Sequence, residues 1–114
     1  MTAHEIFQQR FNALDVTTRA ALVFRYREGL PLAHVAQLVD RPVRKLGPRL
    51  DRTLTELGDA GALSASADPA LAVHDELDAL RGDPALSSFS LVSAVRAEQN
   101  RRGLLRGGVM RRFA

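Results

Sequence analysis

Four basic side chains within one short stretch offer the clearest chemistry in this sequence: Arg44, Lys45, Arg49 and Arg52. Guanidinium and ammonium groups neutralise phosphates, and they also donate hydrogen bonds to guanine edges in the major groove of DNA. The same stretch carries leucines at helical spacing, at positions 46, 50, 54 and 57. The pattern predicts a helix with an apolar packing face and an opposite basic face that either binds DNA or is simply solvated.

The remaining polar residues form no catalytic or metal-binding pattern. The three histidines are far apart in the sequence, unlike the ligands of a metal site. Asp75, Glu76 and Asp78 have no partner in the sequence pattern that could act as a catalytic base, and they fit the solvent-exposed face of a helix. The absence of cysteine excludes disulfides, thiolate nucleophiles and cysteine-held metal centres, and it favours a cytoplasmic location. We therefore expect no enzymatic activity, no cofactor and no metal.

The composition favours a small all-α protein. The chain has 114 residues, 46% of them hydrophobic and 25% charged, which suits one soluble globular domain. With five Phe, one Tyr and no Trp, the core must come mainly from Leu, Val and Ala, and these pack more readily as helices than as a sheet. No segment resembles a signal peptide or a membrane span. We expect a small helical bundle.

Helix-start signals predict two helices ahead of the basic stretch. Thr2 and Glu5 form the capping-box pattern, in which each side chain satisfies a free amide of the first turn, and they predict a helix over residues 3–13. Asp15 is a good N-cap for a second helix over residues 16–28. These two helices supply apolar faces for the basic helix to pack on.

A third, short helix is expected immediately before the basic one. Gly29 supplies the left-handed conformation that commonly ends a helix, and Pro31 is suited to the first position of the next. Apolar residues then recur at helical spacing as far as Val39, and Asp40 tolerates a left-handed turn. The sequence therefore predicts that this short helix, a turn and the basic helix form a helix-turn-helix within the first 57 residues.

The second half of the chain predicts a linker, two amphipathic helices and a tail. Residues 58–67 are rich in Gly, Ser and Ala and suit a linker. Aspartate-proline pairs at 68–69 and 83–84 mark helix starts, so helices are expected over 69–80 and 84–100, within a segment spanning 68–100. Their apolar faces pack either on the first domain or on a partner. The residues assigned to a partner are Leu71, Leu77, Leu80, Phe89 and Val92.

Charge alternates along the chain. Residues 1–57 carry nine Lys/Arg and six Asp/Glu, residues 58–95 carry one and six, and residues 96–114 carry six and one. The basic tail, residues 101–114, is expected to be loosely ordered. Its arginines fit three alternatives: an accessory nucleic-acid arm, a juxtamembrane segment of a membrane protein, or a solubilising end.

Three groups of residues follow one another in fixed order between positions 14 and 57. They are Leu14, Arg19 and the run FRYREGL at 24–30; then the pairs at 35–36 and 38–39; then Leu46, Arg49, Leu50, Arg52 and Leu57. In this order, without a gap over about 44 residues, they resemble region 4 of bacterial sigma factors, most closely the extracytoplasmic-function type. Since only 13 residues precede Leu14, we expect a region-4-like domain without region 2.

The resemblance implies a helix-turn-helix whose last helix enters the major groove of promoter DNA. Position by position, it implies that Lys45 and Arg49 contact the groove or phosphates, that Arg44 lies near the helix entry, and that Arg52 contacts the backbone.

The chain departs from the family pattern at the proposed recognition helix. Gly47 and Pro48 stand where the family usually has lysine and serine, and a proline inside a helix costs roughly 3 kcal/mol or more. We therefore expect the helix to begin at Pro48 with Gly47 as its cap, leaving residues 43–46 extended or in a single turn. His34, Asp40 and Pro42 also replace a glutamate, a turn glycine and a serine cap of the family.

Two functional hypotheses follow. The first is a transcription-regulatory domain that binds promoter DNA through Arg44, Lys45, Arg49 and Arg52. The second is a protein-interaction module of anti-sigma-like or polymerase-binding type, with a sigma factor or RNA polymerase as partner and with membrane proximity through its arginine-rich end. The pair Gly47 and Pro48 favours the second, because it predicts an unwound groove-reading end.

Overall fold

The computed structural model of the protein describes residues 1–64 and 68–111, with side chains in the last helix described as far as Gly103. Every regular element in these residues is helical, which confirms the all-α prediction. The α-helices are α1 (Ala3–Ala13), α2 (Val16–Leu22), α3 (Leu32–Val39), α4 (Val43–Asp59), α5 (Pro69–Asp78) and α6 (Ser88–Arg111). A π-helical segment, Val23–Arg27, continues α2, and a 3₁₀ turn, Pro84–Leu86, precedes α6.

The first two helices start where their capping residues predict. The Thr2 hydroxyl accepts a hydrogen bond from the Glu5 amide at 3.2 Å, and the Glu5 carboxylate accepts one from the Thr2 amide at 3.3 Å. The Asp15 carboxylate accepts hydrogen bonds from the amide and the hydroxyl of Thr18 at 3.2 and 2.7 Å. The bounds predicted for α1 are confirmed.

The second predicted helix, over residues 16–28, changes geometry partway. Its last turn is π-helical, with the Glu28 amide donating to the Val23 carbonyl at 3.0 Å. Gly29 then adopts a φ of 69°, the left-handed conformation expected of it. The wider turn leaves Arg27 buried, and its Nη2 donates to the Leu86 carbonyl at 2.7 Å. Sequence spacing cannot reveal this contact of Arg27, because its partner lies 59 residues later in the chain.

Helix α4 corrects the helix start predicted from the sequence. It is continuous from Val43, with Pro42 as its N-cap and Pro48 in its interior, so residues 43–46 are helical rather than extended. Pro48 is exposed, and its missing amide hydrogen bond therefore affects the solvent-facing side of the helix. Buried residues before and after the proline, Leu46 and Leu50, hold both parts of α4 against the core.

Gly47 allows the close approach of α3 to this part of α4. A Cβ at position 47 would lie 3.4 Å from Cδ2 of Leu32, at the limit of ordinary van der Waals contact. Gly47 therefore lies in the helix interior next to α3 and does not cap the helix. The stabilisation from burying the α4 stripe outweighs the cost of the proline.

The predicted linker is partly integrated into the fold. Helix α4 extends to Asp59, and Ala62 is fully buried. Residues 65–67 of the predicted linker lie outside the described residues. After them Asp68 caps α5, as predicted, by accepting a hydrogen bond from the Ala70 amide at 3.0 Å.

Helices α5 and α6 share one hydrophobic core with the first four helices. Helix α5 packs against the π-helical segment, and α6 packs against α2 and α3. The core contains residues from all six α-helices: Phe7, Phe11, Leu22, Val35, Val39, Leu46, Leu50, Val73, Leu77, Leu91 and Val95, among others. The sequence left open whether α5 and α6 pack on the preceding helices or on a partner, and in the structure they pack on the preceding helices.

Helix α6 is longer than the sequence predicted. The expected end was residue 100, followed by a loosely ordered tail, but the backbone is helical as far as Arg111. Residues 112–114 lie outside the described residues. Across the described ranges, no helix combines the length and apolar character needed to cross a bilayer.

Candidate nucleic-acid interface

The four basic residues predicted to contact DNA all lie on α4 and are exposed: Arg44, Lys45, Arg49 and Arg52. At about 100° per residue, they occupy an arc of roughly 140° around the helix. The residues that α4 buries lie on the other side: Leu46, Leu50, Thr53 and Leu57. Continuity of α4 from Val43 is therefore what brings these four cations onto one face.

A concave feature in the described part of the chain adjoins this face. It is a groove of about 610 Å³ whose walls come from the start of α2, the turn between α3 and α4, the first half of α4, and α6. We call it the basic groove. The described residues that line it are Asp15, Thr17, Asp40, Arg41, Pro42, Lys45, Leu46, Arg49, Gln99, Arg102 and Gly103.

The basic groove carries more positive than negative charge. Four lining residues are cationic and two are carboxylates, Asp15 and Asp40, which leaves a net charge of +2. Cations on facing walls of one groove repel each other, and a bound polyanion would remove this repulsion. The electrostatics of the basic groove therefore suit a phosphate backbone.

Of the four cationic residues that line the basic groove in the described part of the chain, only Lys45 and Arg49 were among the DNA-binding residues predicted from the sequence. Arg41 was not considered, because it follows the short third helix in a turn. Arg102 belongs to the tail predicted to be loosely ordered, for whose arginines an accessory nucleic-acid arm was one of three alternatives. Arg44 and Arg52 do not line the basic groove and lie elsewhere on the exposed face of α4.

Arg49 has an intramolecular partner that it can exchange for a ligand. Its Nη1 lies 3.7 Å from Oδ2 of Asp15, and both side chains are about half exposed. An ion pair of this exposure contributes little to stability, so a phosphate can compete for the guanidinium. Partial burial alone would raise the pKa of the Asp15 carboxyl, but the hydrogen bonds from Thr18 and the charge of Arg49 outweigh it and hold the pKa below its usual value.

A specific hydrogen bond positions α6 beside the turn. Nε2 of Gln99 donates to the backbone carbonyl of Val39 at 3.1 Å. Val39 is the last residue of α3, where carbonyls lack a partner within the helix. Gln99 thus joins α6 to the end of α3, directly before the turn that leads into α4.

Glu98 orders the two arginines that follow it on α6. Its carboxylate accepts hydrogen bonds from Nη2 of Arg101 at 2.6 Å and from Nε of Arg102 at 3.1 Å. The hydrogen bond from Arg101 is the main reason that the pKa of Glu98 is lowered. Arg102 contacts Glu98 through Nε and is also among the residues that line the basic groove.

The surface predicted for a protein partner is largely absent. Leu77 is completely buried in the core, and Leu80 and Val92 are half-buried. Leu71 and Phe89 remain, with 53% and 82% of their surface exposed. The prediction that Leu77 contacts a partner is wrong for this fold, because the residue is used to pack α5 onto the core.

No protein-family model matches the chain, and neither a curated protein nor a solved structure is significantly similar to it.

Proposed function

We propose that the protein is a transcription-regulatory domain that binds duplex DNA through the exposed basic face of α4. The observation that supports this most directly is the continuity of α4 from Val43, with Lys45 and Arg49 one turn apart near its N-terminus. In helix-turn-helix proteins the N-terminal residues of the second helix reach the base edges of the major groove. The resemblance to sigma region 4 assigns the same role to these two positions.

The start of α4 adds a feature that suits phosphates. Pro42 provides no side-chain cap, and the first amides that bond back within the chain belong to Lys45 and Leu46. The amides of Val43 and Arg44 precede them, at the positive end of the helix dipole. Amides at such an end can donate to a phosphate of the DNA backbone.

The division of contacts follows from position on the helix. Lys45 and Arg49 face the basic groove, whereas Arg44 and Arg52 flank them on the exposed face. We assign base-edge or phosphate contacts to the first pair and phosphate contacts to the second. The buried leucines of α4 keep this face rigid relative to α3.

A salt titration of DNA binding tests the proposal. We expect the wild-type protein to bind a fluorescently labelled, mixed-sequence duplex with an affinity that falls as salt rises. Lys45→Ala combined with Arg49→Ala should weaken binding roughly tenfold or more and reduce the slope of log affinity against log salt by about 0.9 for each of the two residues that contacts a phosphate, to about 1.8 if both do.

The matched control removes the same charge elsewhere. Arg25 and Arg81 are exposed and do not line the basic groove. Arg25→Ala combined with Arg81→Ala should leave the salt slope close to that of the wild type. Absence of salt-dependent binding by the wild type, or an equal loss in both double variants, would rule out α4 as the DNA-binding surface.

The rival proposal, a protein-interaction module, has less support in the fold. Its argument from Gly47 and Pro48 depended on an unwound start of α4, and its apolar surface is reduced chiefly to Leu71 and Phe89. Single exposed apolar residues are common on monomeric proteins. Capture of purified sigma factor or core RNA polymerase by the wild type, abolished by Phe89→Ala, would nevertheless favour it over DNA binding.

A further inference from the structure

Helix α6 lies beside the proposed DNA-binding helix at a defined position. Gln99 fixes it to the last carbonyl of α3, and the next turn of α6 brings Arg102 and Gly103 to the wall of the basic groove. Lys45 and Arg49 of α4 line the same groove. Arg102, which is distant in sequence from α4, therefore lines the same groove as Lys45 and Arg49.

The positive charge of Arg102 on α6 favours a negatively charged ligand in the basic groove between α4 and α6. A segment that blocked the basic face by imitating DNA would be acidic. Arg102 instead adds a fourth cation to a groove that already has a positive net charge. In the free protein Arg102 is paired with Glu98 and Arg49 with Asp15, both at exposed positions where a bound anion can add to these partners or replace them.

We infer that α6 is the second wall of the DNA-binding site, with Arg102 contacting the phosphate backbone of a strand that lies along the basic groove. This inference rests on the proposed function and extends it from one helix to two. In it, α4 supplies the residues that reach the bases or nearest phosphates, and α6 supplies a contact to the backbone outside that region. Gln99 is a positioning residue, because its side-chain amide is bonded to the Val39 carbonyl and holds α6 in place.

The chain contains a closely matched pair for testing the role of Arg102. Arg101 and Arg102 are adjacent, have the same charge, are both exposed and both bind Glu98, but only Arg102 is among the residues that line the basic groove. We expect Arg102→Ala to weaken duplex binding several-fold and to lower the salt slope by about 0.9, the value for one phosphate contact. Arg101→Ala should remain close to the wild type in both measurements.

A second variant tests position rather than charge. Gln99→Leu removes the hydrogen bond to Val39 without changing the net charge. If α6 must be held at the groove, this variant should weaken DNA binding and lower the salt slope although Arg102 is still present. Circular dichroism at the assay temperature verifies that the variant remains folded.

The outcomes separate this inference from the proposed function. If the wild type binds DNA in a salt-dependent manner but Arg101→Ala and Arg102→Ala have equal effects, the α6 wall is disproved while α4 remains the DNA-binding helix. If the wild type does not bind DNA, both proposals fail. If Arg102→Ala reduces binding to phosphatidylserine vesicles and leaves DNA binding unchanged, α6 serves a membrane surface and the inference is overturned.

Discussion

The side-chain amide of Gln99 and the backbone carbonyl of Val39, 60 residues apart in the sequence, are joined by a 3.1 Å hydrogen bond. This bond fastens the last helix to the end of α3, next to the turn that leads into the basic helix. Because it satisfies a helix-terminal carbonyl, it links the stability of α3 to the position of α6. The arrangement of the basic groove depends on this relationship.

Removing that hydrogen bond should have a measurable effect on stability. We expect Gln99→Ala to lower the free energy of unfolding by about 0.5–1.5 kcal/mol, the usual net contribution of one hydrogen bond. Urea denaturation followed by circular dichroism measures the change. Asn100→Ala is the control, because Asn100 is exposed on the same helix, and an equal loss in both variants would contradict the role given to Gln99.

Replacement of the proline inside α4 should stabilise the protein. Pro48→Ala restores an amide that can donate to the Arg44 carbonyl, and Ala is favoured over Pro in a helix interior by about 3 kcal/mol. Part of this gain is offset because proline also restricts the unfolded chain. We expect the free energy of unfolding to rise by about 2 kcal/mol, measured by denaturant titration. If α4 instead began at Pro48, the same substitution would lower the free energy of unfolding or leave it unchanged.

The buried arginine of the π-helical segment should be sensitive to truncation. Only 3% of the Arg27 side chain is exposed, and it donates to the carboxylate of Glu28 and to the Leu86 carbonyl. Arg27→Ala leaves a cavity and unpaired buried groups, so we expect a loss of about 2–4 kcal/mol in thermal and denaturant unfolding.

Two further variants distinguish the reasons for this loss. Arg27→Met keeps most of the volume and removes Nη1, which is buried without a hydrogen-bond partner among the described residues, so it should cost less than Arg27→Ala. Arg25→Ala, at an exposed neighbouring position, removes the hydrogen bond from Nη1 to the Leu30 carbonyl, so it should cost no more than about 0.5–1.5 kcal/mol. Equal effects of all three substitutions would contradict the structural role of Arg27.

Asp15 should make part of the stability dependent on pH. Its folded-state pKa lies below the unfolded value, so the stabilisation from the ionised carboxylate is complete above that value and is lost as the pH falls through the folded pKa. We expect Asp15→Ala to cost about 0.5–2 kcal/mol at pH 7 because it removes the helix cap. The difference from the wild type should shrink below about pH 4.

A conservative variant provides the control for this measurement. Asp15→Asn keeps an oxygen that can accept from the Thr18 amide, so its cost at pH 7 should be smaller than that of Asp15→Ala. Denaturant unfolding across pH 3–7 measures the stability of both variants. A difference in unfolding free energy between Asp15→Ala and the wild type that grew as the pH fell would contradict the lowered pKa of Asp15.

The burial of Leu77 and the exposure of Phe89 predict opposite responses to truncation. Leu77→Ala should lower the free energy of unfolding by about 2–5 kcal/mol, because it removes a fully buried side chain from the core. Phe89→Ala should have little effect, since 82% of its surface is already in water. A large loss from Phe89→Ala, measured by thermal unfolding, would show that its ring is covered in solution.

Local chemistry was sufficient to predict several elements closely. The cap at Thr2 and Glu5 placed α1, Asp15 placed the start of α2, and Asp40 adopts the left-handed turn with a φ of 53°. Each of these signals acts within three or four residues. A side chain and the amide that it caps meet whenever the helix forms, so no information about distant residues is needed.

The main errors came from positions where distant contacts compete with local preference. Pro48 alone argues for a later helix start, but α4 is continuous through it, with Leu46 and Leu50 buried before and after the proline. Leu77 appeared available to a partner because its spacing describes an amphipathic face without saying what covers it. Burial against another helix decides such positions, and it cannot be inferred from spacing alone.

The candidate site divides in the same way. The amino-acid sequence is enough to identify an all-α protein and the basic face of α4, because composition and helical periodicity act along one segment. Only the tertiary structure places Arg41 and Arg102 in the same groove as Lys45 and Arg49, since the docking of α6 depends on a hydrogen bond between residues 60 positions apart. Residues this far apart in the sequence become neighbours only when the core packs, so neither the segment around α4 nor α6 predicts the groove by itself.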